Sequence, residues 1–180
     1  RAVARFVPER KMWYVYDGVV WKPDVGSLRA MQLCKRLADQ LLIYAITIPD
    51  DDRREQYINT VRRWQSRRAR EVILKDAADV YPINMADFDQ NPALYNVQNG
   101  TLDLRDFSFH PHSPDDLLTK CAAVSYDPHA YCERWARFIR EVMSDDAGKS
   151  AYAQKFAGYS LTGDTRYECM CIGLGRTTRN

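Results

Sequence analysis

The last residues of the chain combine glycine, threonine and arginine after a short apolar run, Cys169–Ile172. Glycine lets backbone N–H groups curl around a phosphate, and a strand that enters such a segment is how a phosphate-binding loop begins. We therefore expect Cys169–Ile172 to be a buried strand that leads into part of a nucleotide site. The candidate nucleotide-binding residues are Gly175, Arg176, Thr177, Thr178, Arg179 and Asn180. The Gly-Lys-Ser/Thr that would complete the loop is not in the sequence, so we predict no catalytic residue and no enzymatic activity for this chain alone.

Arginines recur along residues 51–78, a segment with the apolar spacing of one long helix. At about 100° per residue, Arg63, Arg67 and Arg70 converge on the face opposite the apolar one. No equal acidic stripe accompanies them, and such a stripe suits the phosphate backbone of DNA. We predict DNA contact at these three arginines. The alternative is a solvated helix face that pairs with nearby acidic residues.

Two further groups have the residue types of a metal site, and turns explain both better. In His110-Pro111-His112 the proline extends the backbone and points the two imidazoles apart, with no obvious third ligand. The carboxylates of Asp50–Asp52, Asp87 and Asp89 could serve a metal-dependent nuclease, but they lie where helix caps and turns need them. We predict no metal and no cofactor in this chain.

Composition limits the class of protein. The chain has 180 residues, 46% of them hydrophobic, which is ample for a packed core. A net charge of +2 means that any nucleic-acid contact must come from local clustering. The five cysteines are odd in number and fit no disulfide framework, which is typical of reduced, buried cysteines in a cytoplasmic protein. No apolar run reaches the roughly 18 residues of a membrane span, so we expect no membrane partner.

The elements that must position these residues are mainly helices with small β-hairpins. Asp17-Gly18 and Asn99-Gly100 each separate two apolar runs, which predicts two hairpins with type I′ turns. A third turn at residues 105–108 returns the chain through Phe109. The first hairpin carries aromatics that could stack on bases, although packing onto the domain explains them better. These aromatics are Trp13, Tyr14, Tyr16 and Trp21.

Helical spacing recurs on both sides of the second hairpin. One long helix is predicted between Pro23 and Pro49, and the 51–78 helix follows it. Near the C-terminus, Asp127-Pro128 can begin a helix with one apolar face, and a second helix covers residues 147–160. The apolar face of the first is Tyr131, Trp135, Phe138, Ile139 and Val142, and the second is expected to bury Tyr152, Phe156 and Tyr159.

Several segments together resemble one known family in the same order along the chain. They read RRWQSRRAREVILKDA, LYNVQNGTLDLRD, HSPDDLLTKCAAVSYDP and KFAGYSLTGDTRYE, the last followed by GRTTRN. The family is that of phage and plasmid primase–helicases, shared with poxvirus replication proteins. The resemblance implies an α+β accessory domain over residues 1–165, before a superfamily 3 AAA+ helicase motor. Residues 166–180 would then be the first strand of a P-loop ATPase domain, truncated within the loop.

The resemblance also implies a function. The full-length parent is expected to be a hexameric DNA helicase that uses ATP and Mg²⁺, encoded by a phage or plasmid and located in the cytoplasm of a bacterial host. This chain would support assembly of the motor or its engagement with DNA. It departs from the family in lacking the upstream primase module and every catalytic element of the motor. Two alternatives stay open, a protein-interaction and oligomerisation module or a decayed prophage remnant, neither of which binds nucleic acid.

Overall fold

The computed structural model describes residues 3–168 and 170–173. Over these residues the chain forms five α-helices and two antiparallel sheets of three strands each. The order along the chain is sheet, three helices, sheet, two helices. The predicted α+β class with small hairpins is confirmed.

The first sheet is buried on both faces. Its strands are β1 (Ala4–Val7), β2 (Met12–Tyr16) and β3 (Trp21–Pro23), in the order β1-β2-β3. Successive side chains of a strand point to opposite faces. Trp13 and Val15 accordingly pack in one buried cluster, and Tyr14 packs in another with Trp21. The aromatics of this hairpin therefore form core, as the packing interpretation predicted.

The turn of the first hairpin differs from the predicted one. Tyr16 pairs with Trp21, which leaves a loop of four residues between the strands and not a two-residue type I′ turn. The Asp17 side chain shapes this loop, since its Oδ1 accepts hydrogen bonds from the backbone N–H groups of Val19 and Val20, both at 2.9 Å. The hairpin itself is confirmed.

Three helices follow, of which the first and third cover one face of this sheet and the second packs against those two helices. They are α1 (Leu28–Ala45), α2 (Asp51–Trp64) and α3 (Arg67–Val80). Asp24 begins α1, because its carboxylate accepts hydrogen bonds from the N–H groups of Arg29 and Ala30 at 3.0 and 2.8 Å. Ala30 of α1 and Leu74 of α3 pack with Trp13 and Val15 of β2 in one buried cluster.

The single helix predicted over residues 51–78 is wrong. The chain leaves helical geometry at Ser66, whose backbone is extended and whose hydroxyl accepts a hydrogen bond from the N–H of Ala69 at 3.2 Å. A serine in this role satisfies a free N–H group of a new helix and so begins one. The arginines at 63, 67 and 70 therefore lie on two helices.

The second sheet contains β4 (Leu94–Val97), β5 (Gly100–Asp103) and β6 (Phe109–His110), in the order β4-β5-β6. The predicted hairpin and the returning strand are confirmed, but Val97 pairs with Gly100, so the turn residues are Gln98 and Asn99. Gly100 is needed for a different reason. A Cβ at this position would lie 2.5 Å from Cζ of Phe109 and 2.6 Å from the carbonyl oxygen of His110.

Hydrogen bonds of Trp21 and Asn96 link the two sheets, mostly through residues 114–120, which follow β6. Trp21 donates from its backbone N–H to Leu118 O and from Nε1 to Pro114 O, each at 2.9 Å. Asn96 of β4 donates from Nδ2 to Val19 O at 3.3 Å and to Lys120 O at 2.9 Å. The loop of the first hairpin is thereby held against the second sheet.

The last two helices, α4 (Glu133–Val142) and α5 (Ala147–Ser160), leave most of their apolar side chains in solvent. The start of α4 predicted at Asp127 is wrong, because the Asp127 carboxylate accepts from the N–H of His129 in a local turn and Cys132 begins the helix. The predicted burial of Tyr152 and Phe156 is also wrong, since both are exposed. An apolar helix face indicates that the helix tends to pack against another surface, but it does not identify that surface.

The end of the described chain corrects one more prediction. Residues 170–173 form no strand, and Met170 and Ile172 are exposed, so the buried strand is wrong there. These residues belong to neither of the two sheets. Cys169 and the candidate nucleotide-binding residues Gly175–Asn180 lie outside the described residues. In the described ranges, no helix combines the length and apolar character that crossing a membrane requires.

Candidate nucleic-acid interface

The junction of α2 and α3 concentrates positive charge on a bend. We name residues 62–68 the elbow, which contains Arg62, Arg63, Arg67 and Arg68 and no acidic residue. The bend forms because α2 ends at Trp64 and Ser66 begins α3. The first N–H groups of α3 and the four guanidinium groups therefore lie in one short stretch of chain, a combination that favours anions.

Among the residues that the structure describes, three of the four elbow arginines have no partner of opposite charge. Arg67 pairs with Glu71 one turn along α3, with 2.8 Å between Nε and Oε1. The guanidinium groups of Arg62, Arg63 and Arg68 are exposed, and across residues 3–168 and 170–173 they make neither an ion pair nor a hydrogen bond. Their charge is available to a ligand.

Arg70 has a different environment from Arg63 and Arg67. It is half-buried, and it donates a hydrogen bond back to the carbonyl oxygen of Gln65 at the C-terminal end of α2. Burial raises the pKa of the Cys34 thiol on α1, and the positive charge of Arg70 acts on it in the opposite direction. The guanidinium therefore links the first turn of α3 to the end of α2.

A shallow groove opens beside the elbow. Its lining is apolar at Trp64, Ala69, Val72 and Ile73 and polar at Arg63, Ser66 and Arg68. Val72 is 51% exposed although it belongs to a helix that packs on the core. The groove therefore places an apolar surface directly beside two unpaired guanidinium groups.

The acidic residues of α2 are too distant to neutralise the elbow. Asp51 and Asp52 lie in the first turn of α2, and Asp51 already pairs with Arg54. At a rise of 1.5 Å per residue, Asp51 lies about 18 Å from Arg63 along the helix, and Glu55, the last acidic residue of α2, lies about 12 Å from it. Exposed charges that far apart are largely screened at the ionic strength of the cell.

The other candidate groups serve local structure. Asp50 accepts from the N–H of Arg53 at 2.7 Å and caps α2, whereas Asp89 accepts from the N–H of Thr119 at 2.8 Å. His112 lies within 3.2 Å of Gln98 O through Nε2. In the portion of the chain that the structure describes, no three His, Cys, Asp or Glu side chains converge as metal ligands would.

Sequence reasoning missed Arg62, Arg68 and Trp64 as members of this surface, because it assumed one uninterrupted helix. One signal was present: Ser66 follows Gln65 and precedes two arginines and an alanine, which fits the start of a helix. A break at that position changes which side chains share a face. It also moves Arg70 away from Arg63.

Comparison with known families identifies the family to which this chain belongs. Residues 1–144 match the family described as D5 N terminal like. The chain therefore belongs to this family, which is of the primase–helicase type found in DNA replication. The match covers both sheets and the helices through α4, and it ends before α5. No curated protein matches the chain.

Proposed function

We propose that this chain is the DNA-engaging accessory region of a phage- or plasmid-type primase–helicase. It would precede a superfamily 3 motor that uses ATP and Mg²⁺ and assembles as a hexamer. Family membership supports the replication role. The observation that carries DNA engagement is a set of three exposed elbow arginines that have no carboxylate partner in the described part of the chain, Arg62, Arg63 and Arg68.

The chemistry is neutralisation of phosphate. A guanidinium that already has a carboxylate must give up that partner to bind DNA, whereas Arg62, Arg63 and Arg68 have none to give up. Each phosphate that they neutralise releases condensed counterions, which favours binding and makes it weaken with added salt. Arg67 can contribute at the cost of its pair with Glu71.

Fluorescence anisotropy with a labelled oligonucleotide tests this proposal. The variant Arg62→Gln/Arg63→Gln/Arg68→Gln is compared with Arg10→Gln/Lys11→Gln/Lys120→Gln, which removes the same charge from exposed residues outside the elbow. If each elbow arginine neutralises one phosphate, the slope of log K against log salt falls by about 2, and affinity at 0.1 M salt falls on the order of 100-fold. Equal slopes in the two variants would overturn the assignment.

A second candidate function is oligomerisation, and the exposed apolar side chains of α4 favour it. Trp135, Phe138 and Val142 recur on one side of this helix, Tyr131 lies just before it, and all four are exposed. An apolar surface of this kind is typical of protein contacts. Sedimentation velocity of the native protein and of Trp135→Ser/Phe138→Ser tests it, since only a contact through α4 makes the substitutions shift the association state.

A further inference from the structure

We propose that the groove beside the elbow binds one unstacked base of single-stranded DNA, with the flanking phosphates held by Arg63 and Arg68. This inference rests on the proposed function, because it assumes that the elbow contacts DNA. It specifies that the DNA is single-stranded, and it names the side chain that distinguishes a single strand from a duplex. The central residue is Trp64.

Trp64 differs from the tryptophans of the core. Trp13 packs edge-on against Phe6, and Trp21 donates its Nε1 proton to a buried carbonyl. Trp64 is half-buried at the groove, and within the described ranges its indole has neither a ring partner nor a hydrogen bond from Nε1. Its ring therefore contributes to the lining of the groove, and its donor has no partner among those residues.

The apolar lining favours a single strand over a duplex. In a duplex the base faces are stacked inside the helix, so an apolar groove between two arginines gains nothing beyond the phosphate contacts. An unpaired base offers its flat face, and aromatic side chains beside a basic surface are how proteins hold such bases. Val72 lines the same groove and is 51% exposed. It adds apolar contact from α3, whereas Trp64 belongs to α2.

The arginines and the groove are close enough to act on one nucleotide. Arg63 is adjacent in sequence to Trp64 at the end of α2. Arg68 and Val72 are four residues apart on α3, so they lie one above the other on the same face of that helix. A base in the groove would therefore have a guanidinium on each flank.

The test compares a labelled oligo(dT) with a duplex of the same length, using Trp64→Ala and Val72→Gln. Tyr152→Ala, which removes an aromatic ring that is 62% exposed on α5, is the control. Loss of one stacked base lowers single-strand affinity by about 5- to 150-fold. The affinity for the duplex and the slope of log K against log salt stay unchanged in both variants, because the arginines remain.

Quenching of tryptophan fluorescence by oligo(dT) supplies a second readout, and the variant that it uses removes no packing contact of the core. Trp64→Phe keeps an aromatic ring, and the inference expects it to retain binding while it removes most of the quenching. Equal affinity of the native protein for single strand and duplex, or equal effects of Trp64→Ala on both, would overturn the base site and leave the elbow arginines in place. Absence of any DNA binding would overturn both proposals together.

Discussion

Asn96 should be the polar side chain on which the joint between the two sheets most depends. It is only 6% exposed, and its side chain makes three hydrogen bonds. Nδ2 donates to Val19 O at 3.3 Å and to Lys120 O at 2.9 Å, and Oδ1 accepts from the hydroxyl of Thr101 at 3.3 Å. Asn96→Ala removes all three and leaves the Thr101 hydroxyl, which is buried, without that acceptor.

The expected cost follows from these bonds. At about 1 kcal/mol for each, the free energy of unfolding falls by about 3 kcal/mol. For a chain of this size that corresponds to a drop in Tm of roughly 6 to 12 °C. Urea unfolding followed by circular dichroism measures the first quantity, and calorimetry measures the second. Asn96→Asp keeps the shape but sets a carboxylate against two carbonyl oxygens, so it should cost at least as much.

Asn99 supplies the matched control. It also exchanges two hydrogen bonds, with the backbone of Tyr126 at 2.9 and 2.8 Å, but it is exposed. Water can replace those bonds, so Asn99→Ala should cost less than about 1 kcal/mol. Equal losses of stability for the alanine variants of Asn96 and Asn99 would refute the reasoning that burial makes the Asn96 bonds important.

Three other predictions concern stability. Arg70→Met removes the hydrogen bond to the last carbonyl of α2 and should lower the free energy of unfolding by about 1 to 2 kcal/mol in urea, with no loss expected if Arg70 were only a surface charge. Gly100→Ala forces a Cβ against β6 and should cost about 1 to 3 kcal/mol, whereas Gly158→Ala, with open space around it, should cost nothing. Burial raises the pKa of Asp17, but its lysine partner and two backbone N–H groups outweigh burial and lower it from 3.8 to about 2. Asp17 therefore stabilises the fold above pH 4, and this contribution is lost as the pH falls toward 2, so Asp17→Asn should show a smaller acid-induced loss of Tm than the native protein.

The hairpins were predictable because strand periodicity and turn residues are local signals. The details of their turns were not. Asp17 shapes its loop through side-chain bonds to backbone N–H groups, which lengthens the loop beyond a two-residue turn. Gly100 has a role that only the third strand of the sheet explains, because that strand approaches it from the side.

The elbow shows why the site was only partly predictable. The residues around the bend favour helix on both sides, so propensity alone extends one helix across it. A single serine, Ser66, decides the break by capping the following helix. An arginine stripe derived for one helix then mixes residues from two, and it assigns Arg70 to solvent although Arg70 is half-buried.

Burial near the C-terminus could not be predicted from the sequence for a different reason. Amphipathic spacing identifies the apolar side of α4 and α5 but carries no information on which surface meets it. For this reason the spacing could not show that Tyr152 and Phe156 are exposed. The alternating aromatics of β2, in contrast, pack into two buried clusters. The domain boundary between residues 165 and 166 stays a prediction.

Photo-crosslinking tests the central claim, that the elbow engages DNA, most directly. A single strand that carries 5-iodouracil is bound to the native protein at low salt, irradiated and digested, and the crosslinked peptide is identified by mass spectrometry. The account predicts a crosslink at Trp64, within the elbow, that disappears when Arg62, Arg63 and Arg68 are replaced by glutamine. Crosslinks confined to the exposed aromatics of α4, unaffected by those substitutions, would contradict it.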